Sequence, residues 1–439
     1  MNRFDSITTP PRWLMASLLI AFAAGCGGGS TNPGTNATGS GNDTFNYATS
    51  AEFIASGGAV VNAVDGGAGV DSVVINGPIT MVANSDLSRA TAVENLKSAT
   101  DATALTHNIV INSYTRLSDF TTIDLSGSTN ALSTSTVNLT GVVIPVGVTR
   151  YVTIIGTAGA DSITSGNHNG TIIGGAGNDT LVGAAGTNTF IFGLTDGTDT
   201  INDASTADTL IQITSSGAAL SSLNFLRSGN DIVIGFNGQQ VTKTNQYLDA
   251  KIDSITFTGG ATYGGYTLAN TGYEVSSSLT ALLPLNTIIA GTTGNESLLG
   301  IDGNDLLFGN AGIDTLNGGI GSDLLEGGAG VDTFVFNTAL GATNIDTIVD
   351  FTVGTDVIHL DNVIFVSLTL GALNPANFIF STTVPTDTTG DANTFIKYDS
   401  TTGALYYDSN GSAAGGTFLQ FATLTGSPDT LDAGSFVVN

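Results

Sequence analysis

Between residues 291 and 335, apolar residues recur at intervals of nine, which matches neither the 3.6-residue period of a helix nor a plain strand alternation. Each nine-residue unit has glycine at its first and fourth positions, an acidic residue at its sixth and an apolar residue at its eighth. Glycine tolerates the positive φ that a tight turn needs, and of three strand residues only the middle one points inward. The pattern therefore predicts a series of turns, each followed by a short strand with one core residue.

A second and less regular array of the same unit covers residues 156–191. Its first and third units carry Asp161 and Asp179 at the sixth position, whereas its second and fourth units have Gly170 and Asn188 there. This array therefore offers one complete acidic pair.

One further unit, GGAGVDSVV, stands at 66–74, and no other unit adjoins it in the sequence. Without a stacking partner, its Asp71 is open to two readings, a turn residue or a metal ligand.

The unit has the form G-G-x-G-x-D-x-U-x, and the chain therefore resembles the haemolysin-type, or RTX, calcium-binding repeat family. The resemblance implies a parallel β-roll, in which two units form one coil and like turns stack about 4.8 Å apart. Acidic residues two units apart would then face each other as pairs: Glu296 with Asp314, Asp305 with Asp323, and Asp314 with Asp332. Calcium takes six to eight oxygen ligands from carboxylates and backbone carbonyls, so an ion between the turns would offset the repulsion within each pair.

The predicted calcium ligands are the acidic side chains and the glycines of the turns that hold them. In the longer array these are Glu296, Asp305, Asp314, Asp323, Asp332, Gly300, Gly303, Gly309, Gly312, Gly318, Gly321, Gly327 and Gly330. In the shorter array they are Asp161, Asp179, Gly174 and Gly177. Aspartates beside the arrays are open between capping ligands and turn formers: Asp196, Asp199, Asp203, Asp346, Asp350 and Asp356. Because such sites barely exist in an unfolded chain, binding energy becomes folding energy, and we expect the arrays to order only with calcium.

The predicted fold class is all-β, with parallel β-roll arrays flanked by β-rich modules. The expected divisions are a signal segment at 1–26, a flexible linker at 27–42, a β-rich region at 43–150, a first β-roll array at 151–195, a β-rich linker module at 196–288, a second array at 289–340 and a C-terminal capping and secretion-type region at 341–439. The segments at 346–358 and 403–426 are similar to those that follow the arrays in RTX proteins.

One short helix is predicted near 85–99. This segment begins with the cap-type residues Ser85 and Asp86 and contains neither glycine nor proline. Helical spacing would place four apolar residues on one face: Leu87, Ala90, Val93 and Leu96.

The first 26 residues predict a targeting segment. An apolar run from Trp13 to Ala24 is too short for a comfortable membrane span and is typical of a secretory signal. Small residues before Cys26, the single cysteine of the chain, resemble a bacterial lipoprotein signal. We therefore expect lipidation of Cys26 and an outer-membrane anchor, with ordinary cleavage nearby as the alternative.

The charge balance favours cations as partners. The formal net charge of −27 argues against nucleic acid, whose phosphates require lysine and arginine. The three histidines lie outside any H-E-x-x-H motif, and the sequence has no G-x-S-x-G or P-loop motif.

The sequence thus favours a non-enzymatic calcium-binding protein that is extracellular or on the cell surface. One alternative is a surface-layer or adhesive component that assembles with itself or contacts glycans. Another is a secreted hydrolase with an unrecognised site in 43–150.

Overall fold

The computed structural model describes residues 30–31, 41–54, 60, 64–81, 87, 90–111, 119–140, 142, 151–166, 168–184, 186–203, 209–215, 219–246, 254–259, 261–264, 266–268, 273–275, 286–387, 389–411 and 418–439. Within these ranges the protein is a β-solenoid made of short parallel strands on two facing sides. The fold is nearly all β, as the sequence predicts. The signal segment and Cys26 lie outside the described residues.

One side of the solenoid is a single long sheet that passes through both arrays. Its parallel strands before residue 259 are Ser30–Thr31, Thr44–Tyr47, Ser72–Ile75, Asn95–Ser98, Thr122–Asp124, Val152–Ile155, Gly170–Ile173, Asn188–Phe192, Leu210–Thr214 and Ser254–Thr258. Tyr273–Val275 joins antiparallel to Ser254–Thr258, and the parallel order resumes through Thr287–Ala290, Leu306–Phe308, Leu324–Glu326, Asp346–Ile348 and Phe418–Leu424. Ala404–Asp408, Ile396–Asp399 and Phe378–Ser381 complete this sheet.

The opposite side is divided between two sheets. The first contains Thr80–Met81, Thr106–Val110, Thr134–Asn138, Ser162–Thr164, Thr180–Gly183, Thr198–Asp203, Gln239–Lys243, Asp231–Phe236 and Leu223–Ser228. The second contains Ser297–Asp302, Thr315–Ile320, Thr333–Phe336, Val357–Leu360, Phe436–Val438 and Gly371–Ala372.

Smaller elements lie at the corners of the coils. Two-stranded pairs join Val64–Asp65 to Ala90–Thr91, Thr262–Tyr263 to Tyr266–Thr267, and Ala311–Gly312 to Ala329–Gly330. The helical segments in the described ranges are an α-helix at Ser50–Phe53 and 3-10 turns at Pro375–Asn377 and Ala433–Ser435. No helix in the described part of the chain is long and apolar enough to cross a membrane.

The core is a stack of the eighth residues of the units. In the second array these are Leu298, Leu307, Leu316, Leu325 and Phe334, and all are fully buried. Register explains the stacking, because Leu298 pairs with Leu316 and Leu316 with Phe334. Each inward apolar side chain therefore packs on its counterpart two units away.

The helix predicted near 85–99 is wrong. The described part of this segment forms the strands Ala90–Thr91 and Asn95–Ser98 instead. Asn95–Ser98 pairs with Ser72–Ile75 and with the strand at 122–124, so backbone pairing overrides helix propensity. The four apolar residues of the segment are nevertheless all buried: Leu87, Ala90, Val93 and Leu96. The coil turns between two short strands here, so residues three apart in the sequence can face the core, as they would on one face of a helix.

The long sheet also crosses the predicted boundary at 150. Thr153 pairs with Thr122 on one side and with Thr171 on the other. The N-terminal coils and the first array thus share one sheet and one core, while the exact domain limits remain a prediction.

Candidate metal centres

The turns of the second array place successive coils in direct backbone contact. At Gly321 φ is +151°, in the region that side chains disfavour. A Cβ built there would lie 1.7 Å from the carbonyl oxygen of Gly303, one coil below. Glycine at the fourth position is therefore required both by the turn and by the approach of the neighbouring coil.

The acidic residues form two columns, and each carboxylate is fixed by the coil before it. In the first column, Asp305 Oδ1 accepts from the Thr287 N–H at 2.7 Å, and Asp323 Oδ1 accepts from the Asp305 N–H at 2.8 Å. Asp346 Oδ1 in turn accepts from the Asp323 N–H at 3.1 Å. One carboxylate oxygen is thereby held in place on every coil.

The second column follows the same rule on the other side of the roll. Asp314 Oδ1 accepts from the Glu296 N–H at 2.7 Å, and Asp332 Oδ1 accepts from the Asp314 N–H at 2.9 Å. Asp356 Oδ1 accepts from the Asp332 N–H at 3.0 Å. The structure therefore brings together all three pairs predicted from the sequence and adds Asp346 and Asp356 as the next acids in the columns.

Four aspartates of the columns have a second carboxylate oxygen that is buried without a hydrogen-bond donor. Within the described residues, Oδ2 of Asp305, Asp314, Asp323 and Asp332 has no hydrogen-bond partner. Their side chains are at most 1% exposed. A buried acceptor left unpaired is costly, so the columns are incomplete as they stand.

At the first glycine of two units, a carbonyl oxygen from the next coil lies beside the orphaned oxygen of Asp305 or of Asp314. A Cβ built on Gly300 would lie 1.9 Å from the Gly318 carbonyl oxygen and 2.4 Å from Asp305 Oδ2. At Gly309 the corresponding distances are 2.6 Å to both the Gly327 carbonyl oxygen and Asp314 Oδ2. Carbonyl and carboxylate oxygens converging without a donor are the ligand types that calcium prefers.

The side chains alone would not make such a site. No group of three or more His, Cys, Asp or Glu residues placed to hold a metal occurs among the described residues. A cation bound at these turns would take backbone carbonyl oxygens as well as carboxylates as ligands, and calcium binds both kinds.

Burial and mutual repulsion raise the pKa values of these carboxyls. Burial raises the pKa of Asp305 to about 8, and the neighbouring Asp323 adds to the rise. Burial likewise raises the pKa of Asp314 and of Asp323 to about 6 each. The pKa of Asp346 is raised well above its usual range, by burial first and then by Asp323. Without a cation, the folded columns hold protons that an unfolded chain would release.

We expect metal-free protein to be more stable at pH 5 than at pH 8.5. Because the folded-state pKa values are raised, the ionised carboxyls destabilise the fold increasingly from about pH 4, and the penalty is complete above about pH 8. A penalty of a few kcal/mol corresponds to a fall in Tm of about 10 °C. Thermal melts of calcium-depleted protein at the two pH values would measure it, and a higher Tm at pH 8.5 would contradict it.

The first array carries a shorter column on one side. Ser135 N–H donates to Asp161 Oδ1, Asp161 N–H donates to Asp179 Oδ1 at 2.8 Å, and Asp179 N–H donates to Asp199 Oδ1 at 2.8 Å. Asp179 Oδ2 is buried without a partner in the described residues, and burial raises the pKa of Asp179 to about 8. Asp199 thus belongs to the column. A frame of nine-residue units does not predict this, because Asp199 lies 20 residues after Asp179 instead of 18.

The predicted glycines of this array also lie at the column. A Cβ on Gly174 would lie 2.0 Å from Asp179 Oδ2, and one on Gly177 would lie 2.6 Å from the carbonyl carbon of Gly159. Asp161 differs, because Thr157 N–H donates to its Oδ2 at 2.6 Å.

On the other side of the first array, the side-chain amide of Asn188 stands where other units have a carboxylate. Asn188 Nδ2 donates to the carbonyl oxygens of Ala184 at 3.0 Å and Gly186 at 3.2 Å. These donors occupy the carbonyls that a cation would need. Among the described residues of this array, the side of Asp179 is the one with a buried carboxylate oxygen that lacks a hydrogen-bond partner.

The remaining open aspartates act as local caps. Asp196 Oδ2 accepts from the Gly193 N–H at 2.6 Å, and Asp203 Oδ2 accepts from the Thr209 hydroxyl. Asp350 accepts from the N–H groups of Gly327 at 3.0 Å and Gly328 at 2.6 Å, which closes the last turn of the second array.

Asp71 has stacking partners, contrary to what its isolation in the sequence suggested. Strand Thr44–Tyr47 pairs with Ser72–Ile75 in the register of like units, and Asp43 N–H donates to Asp71 Oδ1 at 2.6 Å. Asn42 Oδ1 accepts from the Val70 N–H at 2.9 Å, as Asn295 Oδ1 does from Ile313. The sequence signal for this stacking partner is the stretch Gly41-Asn42-Asp43, followed by Phe45, which has the glycine, acid and apolar residue of a unit. The nine-residue frame does not detect it, because Asp43 lies 28 residues from Asp71, whereas paired acids in the arrays lie 18 residues apart.

The comparisons with known proteins agree with this geometry. The model of the RTX calcium-binding nonapeptide repeat matches residues 153–181, 164–201 and 299–334. The first two ranges overlap, so the RTX calcium-binding nonapeptide repeats occupy two segments, 153–201 and 299–334. A comparison with curated proteins finds no match.

Two solved structures are similar to parts of the chain. The solution structure of the AlgE6R3 subunit from the Azotobacter vinelandii mannuronan C5-epimerase is 28% identical, over 36% of this chain and 82% of that one, with a TM-score of 0.26. The extracellular lipase LipA from Serratia marcescens is 17% identical, over 71% of this chain and 46% of that one, with a TM-score of 0.21. The chain thus spans about half the length of the lipase.

Proposed function

We propose that this protein binds calcium outside the cell and uses it to fold its two arrays, without being an enzyme. The observation that carries the proposal is that four buried carboxylate oxygens of the second array have no hydrogen-bond partner among the described residues, and that carbonyl oxygens lie beside those of Asp305 and Asp314. Asp305, Asp314, Asp323 and Asp332, with the first-position glycines, would hold calcium in the second array. Asp179 and Asp199 would do so in the first. Calcium would supply the positive charge that each column lacks.

The contacts of His107 support the non-enzymatic proposal. His107 Nε2 lies 2.7 Å from Ser128 Oγ, and both side chains are fully buried. His107 Nδ1 accepts from the Ile79 N–H at 3.0 Å, which places the ring proton on Nε2 and makes the ring a donor to Ser128. Burial also lowers the pKa of His107. A general base would need the opposite arrangement at an accessible site, so this pair favours a structural role over a hydrolase in 43–150.

The proposed extracellular location rests on the calcium concentration that such modules need for binding. Extracellular calcium modules bind at about 10⁻⁴–10⁻³ M, concentrations that occur outside the cell. A signal segment at 1–26 and lipidation of Cys26 would place the arrays there and attach them to the outer membrane.

Protease treatment of intact cells would test location and calcium dependence together. We expect proteinase K to degrade the arrays on intact cells in EDTA, and to leave them largely intact in 5 mM calcium, about tenfold above a Kd in this range. A cytoplasmic marker protein serves as the control for cell integrity. Digestion only after lysis would contradict the extracellular location, and equal digestion with and without calcium would contradict calcium-dependent folding.

A further inference from the structure

The turn at 66–71 lies among the N-terminal coils, outside both matched arrays. The strand that follows it, Ser72–Ile75, pairs with Thr44–Tyr47 on one side and with Asn95–Ser98 on the other. The turn is therefore enclosed between two neighbouring coils, as the turns of the arrays are.

Asp71 is fully buried, and one of its carboxylate oxygens is orphaned. Its Oδ1 accepts from the Asp43 N–H at 2.6 Å. Its Oδ2 has no hydrogen-bond partner in the part of the chain that the structure describes. This is the state of Asp305 and Asp323 in the second array.

A carbonyl oxygen from the next coil faces the orphaned oxygen. A Cβ on Gly66 would lie 2.1 Å from the Ala92 carbonyl oxygen and 2.5 Å from Asp71 Oδ2. The corresponding distances at Gly300 are 1.9 and 2.4 Å. Ala92 takes a φ of +51°, in the left-handed region, two residues before an acid, where the array units have glycine. A carbonyl oxygen from the next coil thus lies beside an orphaned carboxylate oxygen here too, although it belongs to the residue two before the acid and residues 89–97 contain no glycine.

The charges around Asp71 are also those of an array column. Glu94 Oε2 accepts from the Asp71 N–H at 2.7 Å. The charged groups that act on the Asp71 carboxyl are Glu94, Asp43 and Asp65, all of them acidic. A buried carboxyl among carboxylates is unfavourable unless a cation or a proton compensates it.

We propose that a divalent cation, with calcium as the ion that fits, binds between residues 66–71 and residues 92–94. Its ligands would include Asp71 Oδ2, the Ala92 carbonyl oxygen and the Glu94 carboxylate. This third centre would join two coils whose acids are 23 residues apart and would stabilise the N-terminal coils independently of the arrays.

Calcium counting on the full mature chain tests the proposal. Equilibrium dialysis with calcium chloride should find one ion fewer per chain in Asp71→Asn than in the natural sequence. Asp124→Asn is the matched control, since Asp124 is not among the charged groups that act on Asp71 and its Oδ1 accepts from the Ser126 N–H at 3.1 Å, a bond that asparagine can keep. Its count should not change. The comparison is between variants, so it remains informative even if the arrays themselves bind no calcium.

Glu94→Gln covers the case in which Asp71→Asn does not fold. Glutamine keeps an acceptor for the Asp71 N–H but removes a ligand charge, so calcium affinity at this centre should fall about tenfold. Hydrogen exchange of peptides that span 72–75 and 95–98 reports on this centre directly, through calcium-dependent protection. An unchanged calcium count in Asp71→Asn, or an unchanged calcium dependence of protection in Glu94→Gln, would overturn the proposal.

Discussion

Chelation of calcium at pH 8.5 is expected to unfold the second array, residues 289–340, while magnesium fails to restore it. Four aspartates there have a buried oxygen without a donor. At a calcium concentration 100 times Kd, each site stabilises the fold by about 2.7 kcal/mol, so sites at the three acidic pairs contribute about 8 kcal/mol. That exceeds or equals the whole stability of many domains, about 5–15 kcal/mol. Hydrogen exchange of peptides from this range should change from protected to fully exchanged.

Magnesium is the matched control for this experiment. It requires near-octahedral geometry at 2.0–2.1 Å and keeps several waters, which a dry turn of carbonyl and carboxylate oxygens does not accommodate. Recovery of protection with calcium and not with magnesium would support binding between the turns. Protection that persists in EDTA at pH 8.5 would show that the array folds without metal, and the proposed function would then be wrong.

The C-terminal residues should lose protection together with the array. Asp346–Ile348 pairs with the strand at 418–424, and Val357–Leu360 pairs with Phe436–Val438. These pairings continue both sheets of the array, and the two parts share one core cluster. Calcium bound in the array would therefore stabilise residues that contain no ligand.

The period of nine was sufficient to predict the core and the acidic pairs of the second array. Two units per coil place Leu298 over Leu316 and Asp305 over Asp323, because no residue is inserted between them. Where successive coils contain the same number of residues, residues that are one coil apart in the sequence lie against each other.

The rest could not be predicted because other coils are longer. Asp346 lies 23 residues after Asp323, and Asp71 lies 28 residues after Asp43. These coils contain more residues than the 18 of an array coil, so equivalent positions lose their fixed spacing in the sequence. Pairing between distant strands decides these contacts, and it also turned the segment around Asn95–Ser98 into a strand despite good helix formers.

Replacement of Gly321 by alanine is expected to destabilise the second array by about 4 kcal/mol, near the upper end for single substitutions. The new Cβ would lie 1.7 Å from the Gly303 carbonyl oxygen and 2.7 Å from its carbon, and both are backbone atoms that cannot rotate away. A φ of +151° adds strain for any residue with a side chain. The coils must separate, which moves the carboxylate of Asp323 away from that of Asp305 and weakens calcium binding as well.

Gly341→Ala is the matched control, because no atom lies within 4 Å of a Cβ built there and its φ is not positive. It should change stability by less than about 0.5 kcal/mol. Denaturant midpoints in saturating calcium measure the coil contact, and calcium titrations measure the site. If Gly321→Ala kept both the midpoint and the calcium affinity of the natural sequence, close backbone stacking could not be what positions the carboxylates. Loss of both, with neither changed in Gly341→Ala, would mean that the glycines set the distance across which calcium joins two coils.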